Sequence, residues 1–96
     1  MIAQVVTATA PTPITDEARK TAKEMSSQVR AVDGCEGILS LVDPTTGEVL
    51  QINLFRDQTT LDAFEALRQT LTNAAEQDLG VKVSPDQHVY EVLVHL

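Results

Sequence analysis

Gln51 and Asn53 are the residues of this 96-residue chain best suited to touch a ligand. They stand two apart in Glu48-Val-Leu-Gln-Ile-Asn-Leu-Phe55, where strand alternation puts both amides on one side with Val49 and Phe55. A carboxamide there can donate to a substrate oxygen and accept from a hydroxyl. Its plainer role is a hydrogen bond across the sheet or an interface. His95 and Glu91 also share a face, but four strand residues separate them by ~13–14 Å, too far for a direct acid–base pair. The candidate ligand-binding set is therefore Gln51, Asn53, Phe55 and His95, with no catalytic residue identified. For Phe55, as for Phe64, the plainer role is core packing. His88 reads as a strand-edge histidine on the side of Tyr90. Cys35 has an acid, Glu36, and no base beside it, and is not read as a nucleophile. No phosphate-binding glycine loop, Ser-His-Asp set or metal-ligand spacing appears, so no cofactor and no metal is expected.

The elements that must position these groups are legible in order. Ile2 to Ala8 alternates β-branched residues as a strand does, and Pro11 and Pro13 break it. Thr15 is a good helix N-cap, followed by acidic Asp16 and Glu17 and by an apolar stripe of Ala18, Ala22, Met25, Val29 and Val32. Gly34 is suited to close that helix. Gly37 to Val42 and Glu48 to Phe55 read as a hairpin around Asp43-Pro-Thr-Thr-Gly47. A second helix of about 20 residues, ~30 Å long, starts near Thr59 or Thr60 with Thr59 and Asp62 as an approximate capping box. It ends at Gly80. Val81 to Gln87 reads as a connector and His88 to Leu96 as the last strand.

Composition narrows the partners. Fourteen acidic and seven basic residues give a net charge of −7. That balance disfavours nucleic acid and anionic membrane surfaces, which demand clustered Lys and Arg. With 43% hydrophobic and 3% aromatic residues the core must be aliphatic. One cysteine excludes an internal disulfide. The start, MIAQVVTATAPTP, has no basic n-region, and no segment nears the roughly 20 apolar residues of a membrane span, so a cytoplasmic location is expected.

The order β-α-β-β-α-β implies an α+β, ferredoxin-like single domain over residues 1–96, a four-stranded antiparallel sheet with two helices on one face. Leu50, Ile52 and Leu54 are the drier side of their strand and are expected to face the helices, together with Tyr90. Val49, Gln51, Asn53 and Phe55, with Ser40, Glu91, Leu93 and His95, are then expected on the bare face. That mixed set fits a half-enclosed cavity between two sheets in a homodimer.

Gly34-Cys-Glu-Gly-Ile, the Asp-Pro-Thr-Thr-Gly turn, Ile-Asn-Leu-Phe-Arg-Asp-Gln-Thr-Thr-Leu-Asp-Ala-Phe64 and the closing Val-Tyr-Glu-Val together resemble the antibiotic biosynthesis monooxygenase-like group of dimeric α+β barrels. The resemblance implies a homodimeric barrel with a pocket for a small aromatic ligand. It implies either a cofactor-independent monooxygenase or, given no acid–base constellation, a non-catalytic ligand-binding or structural barrel. Haem-degrading members resemble one another through a strand Asn, a Trp and a helix-borne His. This chain has no Trp, carries Phe55 where that strand aromatic is usually Trp, and has no His in either helix, so haem degradation is not expected.

Overall fold

A computed structural model describes all residues, Met1–Leu96. Six elements follow in order: β1 (Ile2–Thr9), α1 (Asp16–Arg30), β2 (Cys35–Val42), β3 (Glu48–Phe55), α2 (Gln58–Leu79) and β4 (Lys82–Glu91). The sheet runs β2-β3-β1-β4 with every neighbouring pair antiparallel. This is the ferredoxin-like arrangement read from the order of elements.

Local chemistry accounts for the element ends. Thr15 Oγ1 accepts from the Ala18 amide at 3.0 Å and starts α1. In the hairpin, Asp43 Oδ1 accepts from the amides of Thr45 (2.9 Å) and Thr46 (3.3 Å), and Gly47 closes the turn at φ +81°. Gly34 is needed twice over: its φ is +89°, and a Cβ there would lie 2.6 Å from Thr60 Oγ1. The N-cap of α2 is Asp57 rather than Thr59. The Gly34 carbonyl holds the Arg56 amide at 2.8 Å, so β3 ends there. Asp57 is then left facing Thr60, whose amide (2.9 Å) and hydroxyl (2.8 Å) both donate to its carboxylate.

The last strand lies earlier than the apolar alternation implies. It begins at Lys82, passes an irregularity between the pairs Val6–Gln87 and Ala8–Val83, and ends at Glu91. Pro85 is tolerated because it falls within that bulge on an edge strand. Val92–Leu96 lies outside the sheet because β1 is used up: Ile2 pairs with Glu91, and the Val92 amide reaches only the Met1 carbonyl, at 3.1 Å.

The two sides of the sheet are exchanged relative to the alternation argument. Directly paired residues share a side. Phe55 is fully buried against Phe64 of α2, ring centroids 5.1 Å apart, so the helices cover the side of Phe55. With it go Asn53, Gln51 and Val49, their β1 partners Ile2, Gln4, Val6 and Ala8, and Ser40 and Glu91. Leu50, Ile52 and Leu54 stand on the bare side, joined by Leu39, Leu41, His88 and Tyr90. Leu39 is 54% and Tyr90 55% exposed there. The drier stripe pointed the wrong way because the bare side of this sheet is itself apolar.

The buried apolar cluster is Val29, Cys35, Phe55, Leu61 and Phe64. It occupies the end of the layer where β1 and β2 begin and β3 ends. Ten of the 96 residues are buried, so elsewhere the helices stand off the sheet.

The hydrogen bonds from the amide and hydroxyl of Thr60 hold the carboxyl of Asp57 below its ordinary value of 3.8. A depressed folded value stabilises the protein above the unfolded value and ceases to do so as pH falls through the folded one. Asp57→Ala is therefore expected to lower Tm by about 3–8 °C at neutral pH. That gap should close as pH drops below 3.8. Thermal denaturation of both proteins between pH 2.5 and 7 checks it; a constant gap would contradict the charged cap.

Candidate functional site: a cleft between sheet and helices

Small side chains on three sides make the opening. The sheet-facing stripe of α1 is Ala18, Ala22 and Met25, the sheet offers Ala8 and Ser40, and α2 contributes Ala75. Protein interiors close-pack unless a wall is made of residues too short to reach across. The result is a cleft of about 1050 Å³, open to solvent and mostly apolar. Phe64 and Val29 join its lining to the buried cluster, which seals one end.

Beside the Ser40 hydroxyl, a file of four amides crosses three strands of the floor. Gln51 Nε2 donates to Asn53 Oδ1 at 2.9 Å, and Asn53 Nδ2 donates to Gln4 Oε1 at 3.0 Å. Gln4 Nε2 in turn donates to Gln87 Oε1. Gln4 is completely buried and Asn53 is 4% exposed, yet no buried side-chain polar atom lacks a partner. Each amide satisfies the next, which is how an apolar layer tolerates them. The file's two ends differ. Gln51 lines the large cleft, and its carbonyl oxygen has no partner in the protein. Gln87 reaches a second cavity of about 330 Å³ between α2 and β4, beside Leu61 and Val89.

The four candidate residues are thus separated. Gln51 and Asn53 both line the cleft, on the helix side rather than the bare side. Phe55 lies in the buried cluster, outside the cleft lining. His95 is exposed beyond the last strand, away from the other three. Two residues escaped sequence reasoning. Gln4 was signalled by a lone amide within the apolar alternation Ile2-x-Gln4-x-Val6-x-Ala8. Arg68 was signalled by its place four residues after Phe64 and three before Leu71, inside the apolar stripe of α2.

Arg68 lines the cleft with its side chain 21% exposed. Glu65 accepts from its Nε at 2.9 Å and its Nη2 at 2.6 Å, a two-pronged pairing that leaves Nη1 without a protein partner. The same hydrogen bonds hold the Glu65 carboxyl below its ordinary value and push the Arg68 guanidinium further up. Nowhere do three His, Cys, Asp or Glu side chains gather closely enough to hold a metal ion. No helix is long and apolar enough to cross a membrane.

No family model and no curated protein matches the chain. Solved structures do. A proposed antibiotic biosynthesis monooxygenase from Deinococcus radiodurans superposes with a TM-score of 0.75 at 20% identity, over 100% of this chain and 96% of that one. A proposed antibiotic biosynthesis monooxygenase from Nitrosomonas europaea gives 0.69 at 15% identity, over 98% and 100%. A Mycobacterium tuberculosis protein gives 0.68 at 19% identity, over 99% and 98%. The fold is that of the antibiotic biosynthesis monooxygenase-like proteins. At these identities the likeness is one of fold.

The amide file makes a stability prediction. Asn53→Leu leaves the Gln4 oxygen and the Gln51 amide without partners in a buried layer, at a cost of about 1–3 kcal/mol. The paired change Gln4→Leu with Asn53→Leu should cost less than the sum of its parts, because it removes both sides of one hydrogen bond. Urea denaturation of the four proteins measures this, and strict additivity would contradict a connected file.

Proposed function

We propose that the protein binds a small aromatic molecule in the helix–sheet cleft and acts on it as a cofactor-independent monooxygenase. The observation that carries the binding part is the cleft itself: about 1050 Å³ of mostly apolar lining with one unpartnered amide oxygen, Gln51 Oε1, on its floor. Ligand sites have this character, an apolar body with few placed polar groups. The oxygenase part draws on the fold shared with proteins named as proposed antibiotic biosynthesis monooxygenases. Without a cofactor, the substrate must supply the electrons that reduce dioxygen. An electron-rich ring methylene oxidised to a carbonyl does so: one oxygen atom enters the substrate and the other leaves as water with the two methylene hydrogens. The Gln51 oxygen would accept the hydrogen bond of a ring hydroxyl and orient the ring.

A non-catalytic ligand-binding barrel is the second reading, favoured by the amide file, since no group in it titrates to take a proton. Anthrone and a hydroxylated anthraquinone separate the two readings. Both ligands should raise Tm by mass action. Anthrone should also draw oxygen above the spontaneous rate in an oxygen electrode; binding without uptake favours the second reading. Ala22→Phe, which fills the cleft from α1, is expected to keep the protein folded and weaken binding by about tenfold or more. Binding unaffected by that change would remove the cleft as the site.

We also infer a homodimer formed through the bare sheet face. Leu39, Leu41 and Tyr90 are 54%, 44% and 55% exposed there, around Leu50, Ile52 and Leu54. A contiguous apolar face of this kind marks an interaction surface, and a twofold pairing makes it self-complementary. Light scattering at micromolar concentration should give twice the chain mass. Leu39→Glu, opposite Ile52, should weaken association by about tenfold or more, since a charge would be buried without a partner. A monomeric wild-type protein would overturn the inference.

A further inference from the structure

The chain as a whole is acidic, but its charges are sorted. Of its seven basic residues, Arg19, Lys23, Arg30 and Arg68 line the cleft. Of its fourteen acidic residues, only Glu17 and Asp78 do. Counting Glu65 as the partner of Arg68, the cleft region holds four cations and three anions, and the rest of the chain three cations and eleven anions. A cleft with apolar walls focuses the field of the charges at its edge, so this local excess acts on whatever enters.

Arg68 is the cation best built to meet a ligand. A helix-surface ion pair needs only solvent and is worth a few tenths of a kcal/mol. This arginine instead stands inside the sheet-facing stripe, between Phe64 and Leu71, where a charge costs desolvation. Glu65, on the more exposed side, fixes two of its three nitrogens and leaves Nη1 free. A guanidinium held in this way is preorganised for an oxyanion. No carboxylate belongs to the amide file on the floor, so no full negative charge there opposes an anion seated on Arg68.

We propose that the cleft is selective for an organic acid in its anionic form, an apolar ring-bearing body in the cleft with its carboxylate on Arg68. This rests on the reading of the cleft as the ligand site and names the chemical class it takes. The overall charge of −7 points the opposite way, and the local arrangement prevails because an ion a few ångströms away outweighs screened charges on the far surface.

Titration calorimetry with anthraquinone-2-carboxylate and its neutral isostere, anthraquinone-2-carboxamide, tests this. The carboxylate is expected to bind the wild-type protein about tenfold more tightly or better, because the guanidinium pairs with a full negative charge instead of a neutral amide oxygen. Arg68→Gln should bring the carboxylate to the level of the amide and weaken the amide far less than the carboxylate, while Arg68→Lys keeps part of the preference. Equal affinities in the wild type would overturn the proposal, as would an Arg68→Gln protein that loses both ligands alike. Carboxylate binding that survives Ala22→Phe would also overturn it, since the anion would then sit outside the cleft. If neither ligand binds, the cleft reading falls and this proposal with it. If both bind equally, the cleft stands and only the anion preference is lost. Where circular dichroism shows Arg68→Gln unfolded, the wild-type comparison of the two ligands decides.

Discussion

The pairing register of β1 with β3 is the constraint on which the rest of the molecule depends. It sets Ile2 opposite Phe55 and Gln4 opposite Asn53. Because side chains alternate with period two, a slip of one residue would turn one of the two central strands over relative to the other. In the observed register Phe55 meets Phe64 and anchors α2, while Gln4 meets Asn53 and finds its amide partner. In a slipped register, Leu54 or Ile52 would face the helices, and Gln4 and Asn53 would no longer meet. The aromatic contact and the amide contact therefore specify the same alignment independently. Two bulges adapt the edges to it. Glu36 is the extra residue that lets Cys35 pair with Phe55 and Ile38 with Asn53, and the Ser84–Asp86 stretch absorbs the mismatch on β4.

From that alignment the division of the helix–sheet layer follows. Large residues gather at one end, where Phe55, Phe64, Leu61 and Val29 fill the space. Alanine and serine at the other end cannot fill it, whatever the backbone does. Closing the cleft would need α1 to move toward the sheet, but the short turn after it is pinned. Gly34 is packed against Thr60 with no room for a Cβ, and its carbonyl is bonded to Arg56. The sealed end thus holds the open end apart. A ligand entering the cleft would bury apolar surface that the protein leaves uncovered, without the cost of opening a packed core.

Element order, the hairpin turn, the Thr15 cap and Gly80 at the end of α2 were legible because each depends on neighbours within a few residues; α1 instead ends three residues before Gly34, at Ala31 in the right-handed helical region, and Gly34 takes its positive φ in the turn that follows. The sidedness of the sheet was not legible. Leu50, Ile52 and Leu54 outscore Val49, Gln51, Asn53 and Phe55 in dryness, and dryness decides only when one face meets water. Here the bare face carries Leu39, Leu41 and Tyr90, so both faces were apolar and the local pattern carried no vote. The same exchange moved Gln51 and Asn53 from a cavity between sheets to the floor of the helix–sheet cleft. The end of the last strand failed for a different reason. Val92 to Leu96 alternates well, but a strand needs a partner, and the register with β1 runs out at Ile2. Gln4 and Arg68 were visible only as polar exceptions within apolar patterns, and such exceptions gain meaning once their surroundings are known.

An acidic surface and a cation-bearing cleft are compatible within one small chain because they act over different distances. Surface carboxylates on α2, β2 and the turns are separated from the cleft by protein and by screening solvent, with a Debye length of about 8 Å under physiological salt. Arg68 acts at hydrogen-bond range, where its Nη1 and the geometry set by Glu65 matter more than net charge. The apolar sheet face lies on the opposite side of the same strands, so a second copy seated there would leave the cleft mouth uncovered. Association and ligand binding, as proposed, would then be altered separately, because alternate residues of one strand stand on opposite sides of the sheet: Ile52 and Leu54 on one, Gln51 and Asn53 on the other.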